Sequence, residues 1–443
     1  MITGSAGKTT MLNLVETQLG KEAHYSHNAN SAFGIAFDIL GEHGVTGSKM
    51  QWVKLIFKCP FRAFTFRHKE KYYIVETDGD FPGRAEYISK WLKPEVSLWV
   101  SLGRSHAMCF DEVVKKGKFA TLDEAIAHEF ATIPQNTKKL VIIDGDNKTM
   151  VEKTKDIKAE VVKVSKKELK GYKVQPDRAV FTFTKRKFTF HDPIPRDVTI
   201  QLLMLEKLME YLGVKINYNL SNYATPPGRN NFYKGKNGLK LIDSSYNAHI
   251  ISMQTMLDTF KEMDVDHKWL VIGDIIDQGS IEKEEHEKLA DLLADAKVEQ
   301  IILVGRRTTK YTYPVLQKKK GVRAMTFRKP DAALKYLEAN LKGNETILFK
   351  GSQYLEWIIE KLLENPEDAA KLPRQTALYK KRRAQWGLNW CRSYTSFMAG
   401  PTSQSHGKPS SKNWNLSTRL KLNFCGFRVL VRSPTKFLQL MIM

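Results

Sequence analysis

Short apolar runs rich in β-branched residues alternate along this chain with longer stretches of helical periodicity. Lys71–Glu76 (Lys-Tyr-Tyr-Ile-Val-Glu) predicts a strand ending on an acid, Val96–Leu102 a second that stops at Gly103, and Lys139–Asp144 a third. Beyond the Pro-rich turn Ala224–Arg229 four more strands are predicted, at Leu239–Asp243, Trp269–Gly273, Gln300–Val304 and Thr346–Lys350. Helical patterns separate them at Ser252–Met263, Lys283–Ala296 and Pro330–Leu341. Such alternation predicts parallel sheets covered by helices. The expected fold class is therefore α/β: a domain with a mostly parallel sheet over 1–225, followed by a Rossmann-like α/β domain over 226–388. Ligands of such sheets gather at the carboxyl ends of the strands, which puts Glu76, His106 and Asp144 on the expected active edge. The second domain carries no Gly-x-Gly-x-x-Gly run, so any nucleotide contacts it makes are expected from loops.

Composition sharpens this outline. A chain of 443 residues suggests two or three domains, and a hydrophobic fraction of 42% supplies real cores. No stretch approaches the roughly 20 apolar residues of a membrane span, and the N-terminus lacks the apolar segment of a signal peptide, so a cytoplasmic protein is expected. Cys59, Cys109, Cys391 and Cys425 are widely spaced and predict neither a zinc site nor a disulfide framework. The net charge of +22 is concentrated: 14 Lys or Arg and no Asp or Glu fall from Ala369 onward, leaving +8 for the rest. Residues 389–443, rich in Ser, Asn, Thr and Arg, read as a basic, disordered tail. Basic tails are commonly only solvated, so nucleic acid is not the favoured partner.

The sharpest chemistry lies at the start. Gly4-Ser5-Ala6-Gly7-Lys8-Thr9-Thr10 has the residues of a phosphate loop. Small residues let successive N–H groups face an anion, and the following helix adds its positive end. Lys8 can reach the outer phosphates and Thr9 can ligate magnesium. ATP and Mg2+ are the cofactors this predicts; the plain alternative is an ordinary Gly-Ser turn before a helix. Ile2 stands where the common form of the motif has its first glycine.

Further runs follow in order: Ile74-Val75-Glu76-Thr77-Asp78-Gly79 with Pro82-Gly83, Gly103-Arg104-Ser105-His106, and Gly228-Arg229. Then come Ile242-Asp243-Ser244-Ser245-Tyr246-Asn247-Ala248, Ile272-Gly273-Asp274 with Gly279 and His286, and Lys350-Gly351-Ser352. In this order, over residues 3 to 352, the chain resembles the Mur ligases. The Ser-Tyr-Asn-Ala run, the Gly-Asp run and His27-Asn28-Ala29-Asn30 ahead of Gly34 are most similar to members that join D-alanyl-D-alanine to UDP-N-acetylmuramoyl-tripeptide. The resemblance implies an ATP-dependent amide ligation of peptidoglycan-precursor synthesis, with those two molecules as substrates and a monomeric enzyme. It also implies roles: Lys8 at the γ-phosphate, Thr9 and Glu76 on one magnesium, His106 near a second, Arg229 near the phosphates, and Tyr246 and Asn247 near the adenosine.

Three departures accompany the resemblance. The chain opens at the phosphate loop, without the family's sugar-nucleotide domain or the strand that feeds the loop. Phe130 stands where the family carries a carbamylated lysine that binds the second magnesium. Ser244 replaces the second acid of an Asp-Asp pair. Two alternatives therefore stay open: a nucleotide-binding relative without ligase activity, and a ligase of another amide polymer. Singly, Glu76 reads equally as a strand end in solvent, His106 as a surface histidine, and Tyr246-Asn247 as a plain turn.

Overall fold

The computed structural model describes residues 1–388 apart from Asn28, 43–48, Ser105, Asn247, Gln353 and Trp386. Its larger compact unit comprises Met1–Gly44 and Arg67–Lys381; the helix Lys49–Thr65 belongs to the other. The predicted basic tail, 389–443, lies outside the described residues.

Among the described residues, seven strands come first: β1 (Ile2–Thr3), β2 (Ala23–Tyr25), β3 (Tyr72–Ile74), β4 (Glu76–Thr77), β5 (Val96–Trp99), β6 (Leu140–Asp144) and β7 (Glu160–Val164). Five of them form a parallel sheet in the order β4-β1-β5-β6-β7, while β2 and β3 pair parallel with each other. The run predicted as one strand, Lys71–Glu76, is thus shared between two sheets, with Val75 at the joint. A strand feeding the phosphate loop is also present, contrary to expectation: Ile2 and Thr3 pair with Glu76–Thr77 on one side and Leu98–Trp99 on the other. Two residues suffice because both neighbours are parallel and Ile2 and Thr3 are fully buried between them.

A three-stranded antiparallel sheet that the apolar pattern did not announce follows, with β8 (Gly171–Gln175), β9 (Arg178–Thr182) and β10 (Lys187–Phe190). Its inner face carries Phe181, Phe188 and Phe190, and the edge-on ring pair Phe181–Phe190 has centroids 5.8 Å apart. Helix Thr199–Leu212 buries Leu202, Leu203, Met204 and Leu205, and ends at Gly213 in the left-handed region.

The last sheet contains β11 (Asn231–Lys234), β12 (Lys240–Ser244), β13 (Lys268–Gly273), β14 (Gln300–Val304), β15 (Ala324–Phe327) and β16 (Thr346–Lys350). Their order is β11-β12-β16-β13-β14-β15, parallel except for the edge strand β11. The central strands are nearly all apolar and buried on both faces, as helix-covered parallel strands must be. Helices Ile250–Glu262, Glu282–Asp295 and Pro330–Asn340 fall within two residues of the predicted spans. At the carboxyl end of β13, Gly273 is pressed against the backbone of Gly351 and Ser352, which leaves no room for a side chain.

Candidate active site

The five-stranded sheet that carries β1 and the six-stranded last sheet both contribute to one cavity of about 900 Å3. The phosphate loop forms one wall. It leaves β1 at Gly4 (φ 144°), turns at Gly7 (φ 78°) and enters helix Lys8–Leu19. A Cβ on Gly4 would crowd Ser101 and Val100, and one on Gly7 would strike the Gln201 amide. Only glycine fits either place. Ser5 pins the loop to the end of β5: its Oγ donates to the Gly103 carbonyl at 2.6 Å and accepts from the Gly103 N–H at 2.8 Å. Ser101 completes the cradle, accepting from the Ala6 N–H and donating to the Ala6 carbonyl, both at 2.8 Å.

Lys8 curls back over the loop, where its ammonium donates to the Gly4 carbonyl at 2.7 Å and pairs with Asp78 at 3.0 Å. Asn30 donates to the other Asp78 oxygen. The Thr9 hydroxyl donates to Glu76 Oε1 at 3.3 Å, while Glu76 Oε2 is buried with no hydrogen-bond partner. Burial pushes the Glu76 carboxyl above the usual range, opposed by Lys8, Thr9 and Arg229 and reinforced by Asp78. An anionic oxygen left unpaired beside a threonine hydroxyl and a second carboxylate suits a hard divalent cation. Thr9 and Glu76 therefore fit Mg2+, and the glycine cradle beneath them fits a phosphate chain.

The second metal position is different. His106 is exposed, sits in the left-handed region (φ 51°) and lines the same cavity. Among the described residues, it joins Glu76 in no trio of closely spaced ligand atoms; the trio that does form, His24, His68 and Glu70, is elsewhere. Phe130, on helix Leu122–Gln135, is buried, and its ring fills the space over Gly79 that a side chain there would need. A phenyl ring offers no ligand, so these residues do not fit a second magnesium held in the family's manner. The preceding residue, Glu129, is a structural acid instead. It accepts from the N–H groups of Gly83 and Ala85, both at 2.6 Å, at the start of helix Arg84–Leu92.

The opposite wall comes from the last sheet and its approach. Arg229 stacks over the Tyr246 ring at 5.2 Å, and Arg374 lies 5.6 Å from the same ring. Arg374 also donates to the Ser245 carbonyl at 3.0 Å and to that of Tyr246, fixing the loop after β12. Asn247, assigned with Tyr246 to the adenosine, lies outside the described residues. Lys350, at the end of β16, is buried, and burial together with the Arg229 and Arg374 charges lowers its ammonium to about 7, although Asp243 opposes this. His249 caps helix Ile250–Glu262, its Nδ1 accepting from the Ser252 N–H at 3.3 Å; burial and the Lys350 and Lys8 charges hold it neutral down to about 3.

Of the residues singled out in the sequence, Ser5, Ala6, Gly7, Lys8, Thr9, Thr10, Glu76, His106, Arg229 and Tyr246 line this cavity. Gly4 lies behind it, as the carbonyl that holds Lys8. Asp274 and His286 do not line it. Asp274 accepts from the Thr308 N–H and hydroxyl, and His286 from the Ile275 N–H at 3.3 Å, so both shape the loop after β13. Sequence reasoning missed Gln201, His249 and Arg374. His249 precedes a helical pattern with Ser three residues on, which is a detectable cap; Gln201 and Arg374 carry no local signal.

A phosphate loop on a parallel sheet, sharing its cavity with a second, Rossmann-like sheet, defines a two-domain α/β protein of the phosphate-loop class. The chain belongs to the Mur ligase family: residues 2–220 match the Mur ligase middle domain and 228–353 the Mur ligase glutamate ligase domain. Among curated proteins it is similar to the UDP-N-acetylmuramoyl-tripeptide–D-alanyl-D-alanine ligase of Borreliella burgdorferi, 22% identical over 69% of this chain and 61% of that one. The Escherichia coli enzyme of the same name is 22% identical over 69% of this chain and 64% of its own. The chain thus spans under two thirds of either relative. Among solved structures, MurF from Acinetobacter baumannii aligns with a TM-score of 0.63 at 20% identity over 82% of this chain and 76% of that one. MurF from Thermotoga maritima, in complex with ADP, aligns with a TM-score of 0.63 at 18% identity over 83% and 79%.

Proposed function

We propose that this protein is an ATP-dependent amide ligase of peptidoglycan-precursor synthesis, joining D-alanyl-D-alanine to UDP-N-acetylmuramoyl-tripeptide. The observation that carries the reading is the single cavity in which Lys8, Thr9 and Glu76 of one half meet Arg229, Tyr246 and Lys350 of the other. In this reading the tripeptide carboxylate takes the γ-phosphoryl group of ATP, giving an acyl phosphate and ADP. The amine of D-alanyl-D-alanine then attacks the acyl carbon, and inorganic phosphate leaves.

Catalysis of this kind is chiefly positioning and charge neutralisation. The loop N–H groups and the helix start hold the phosphate chain, and Lys8 exchanges Asp78 for the γ-phosphate. Thr9 and Glu76 would hold one Mg2+, which when bound would supply charge neutralisation at the phosphates. Arg229 and Lys350 bring positive charge from the other side, and Tyr246 offers a ring for the adenine. In this reading Lys8, Glu76 and His106 are the catalytic residues, all three lining the cavity. The domain division near residue 225, a monomer and a cytoplasmic site of action belong to the same reading. No described helix is long and apolar enough to cross a membrane.

A second reading, a nucleotide-binding relative without ligase activity, is favoured by the buried Phe130 alone. Tripeptide labelled with 18O in its terminal carboxylate separates the two. Ligation through an acyl phosphate moves one labelled oxygen into inorganic phosphate, whereas a relative without activity yields none.

A further inference from the structure

Away from the phosphate loop, three side chains with metal-ligand chemistry converge at the paired strands β2 and β3. His24 is the middle residue of β2, and His68 and Glu70 stand two residues apart on the segment that leads into β3. One ring nitrogen from each histidine and one Glu70 carboxylate oxygen all lie within 4.8 Å of one another. The two imidazole centroids are 4.4 Å apart, and His68 Nδ1 is 3.5 Å from Glu70 Oε2. Strand pairing holds the trio together: His24 is opposite Tyr73 in register, and their rings stack at 5.6 Å. The Lys71 N–H donates to the Glu22 carbonyl at 2.9 Å, which fixes the end of the segment bearing Glu70. Asp38, on helix Ala32–Ile39, backs His24. Both its carboxylate oxygens are 3.1 Å from His24 Nε2, and one also accepts from the Tyr73 hydroxyl at 2.8 Å. All three side chains of the trio are half-buried, so an ion can reach them, and none lines the cavity of the phosphate loop.

We propose that His24, His68 and Glu70 form a second metal site, for a divalent transition-metal ion of the zinc type, which clips β2 to the segment entering β3. Two imidazoles and one carboxylate are a donor set suited to zinc and its neighbours, whereas magnesium prefers oxygen ligands. The site therefore differs in its donors, as well as in its place, from the magnesium position at Thr9 and Glu76. Asp38 is the outer partner that such sites use: a carboxylate on one imidazole nitrogen fixes the ring and makes the other nitrogen a better donor. With Asp38 at Nε2, His24 Nδ1 is the ligand atom. Ligand atoms bound to tetrahedral zinc at about 2.1 Å stand about 3.4 Å apart, so gathering this trio takes side-chain shifts of about an ångström. The ion would replace the His68–Glu70 contact with a bond to each residue, and water would take the fourth position.

The test is titration of the chelator-treated full chain with Zn2+, in excess Mg2+ and against a chromophoric chelator. The expected result is tight binding of Zn2+ that raises the melting temperature, with affinity lowered at least about tenfold by Glu70→Gln and by His68→Gln. Glu70→Gln keeps the shape of a half-exposed side chain, and an unaltered melting curve without metal would verify its folding. Co2+ supplies a readout on the wild-type chain alone. Bound by two imidazoles and a carboxylate, it should show visible bands of a four-coordinate ion without the near-ultraviolet thiolate charge-transfer band. Failure of the wild-type chain to bind Zn2+ overturns the proposal. Binding that both substitutions leave unchanged, or a thiolate band with Co2+, overturns it in favour of a site elsewhere in the chain.

Discussion

Glu76 carries opposed demands. Its carboxylate is buried, burial raises its pKa, and one oxygen has no partner, so without a cation it costs the fold stability. Glu76→Gln should leave the melting temperature in the absence of Mg2+ unchanged or raise it, and lower turnover at least a hundredfold. A loss of several degrees on calorimetry would show that the charge is structural. Lys350 offers a second handle. Because its folded-state pKa is about 7, against 10.5 for a free lysine, the folded chain binds fewer protons than the unfolded chain between those values. Stability from this group therefore rises with pH across that window and is lowest below it. A bound phosphate chain reverses the imbalance by favouring the ammonium. Calorimetric titration of ATP at about pH 8 in buffers of different ionisation enthalpy should report uptake approaching one proton, and Lys350→Met should remove most of it. Equal uptake by the variant would place the proton elsewhere.

At the scale of elements, what the sequence revealed depended on how completely each strand is covered. The strands β12, β13, β14 and β16 are buried on both faces, so their apolar runs are continuous and their bounds were readable to within a residue or two. The antiparallel strands β8–β10 show an alternating burial pattern with Lys, Arg and Gln between the apolar residues, which weakens any continuous signal. The split of Lys71–Glu76 between two sheets depends on partners remote in the chain, which no local pattern encodes. The phosphate loop was fully legible because its chemistry is local. Gly273 was legible as a motif glycine, but its reason is tertiary: β13 and the turn after β16 touch there. Gly273→Ala should cost more than about 2 kcal/mol in urea unfolding, the range of overpacked sites; a cost under about 0.5 kcal/mol would mean the turn yields freely.

For the whole molecule, the central point is that the two sheets share one site. Arg229 and Lys350 add nothing to the phosphate loop in sequence, yet both line its cavity. Gln201 and Arg374 were invisible beforehand for the same reason. Phe130 was legible as a departure from the resemblance, and its ring is buried at the cavity wall against Gly79. The most direct measurement is Mg2+-dependent phosphate release from ATP with UDP-N-acetylmuramoyl-tripeptide and D-alanyl-D-alanine supplied together and each withheld in turn. The account predicts release that requires both substrates and is nearly abolished by Lys8→Ala. Failure of the wild-type chain to release phosphate with both present, or release unchanged by Lys8→Ala, would contradict it.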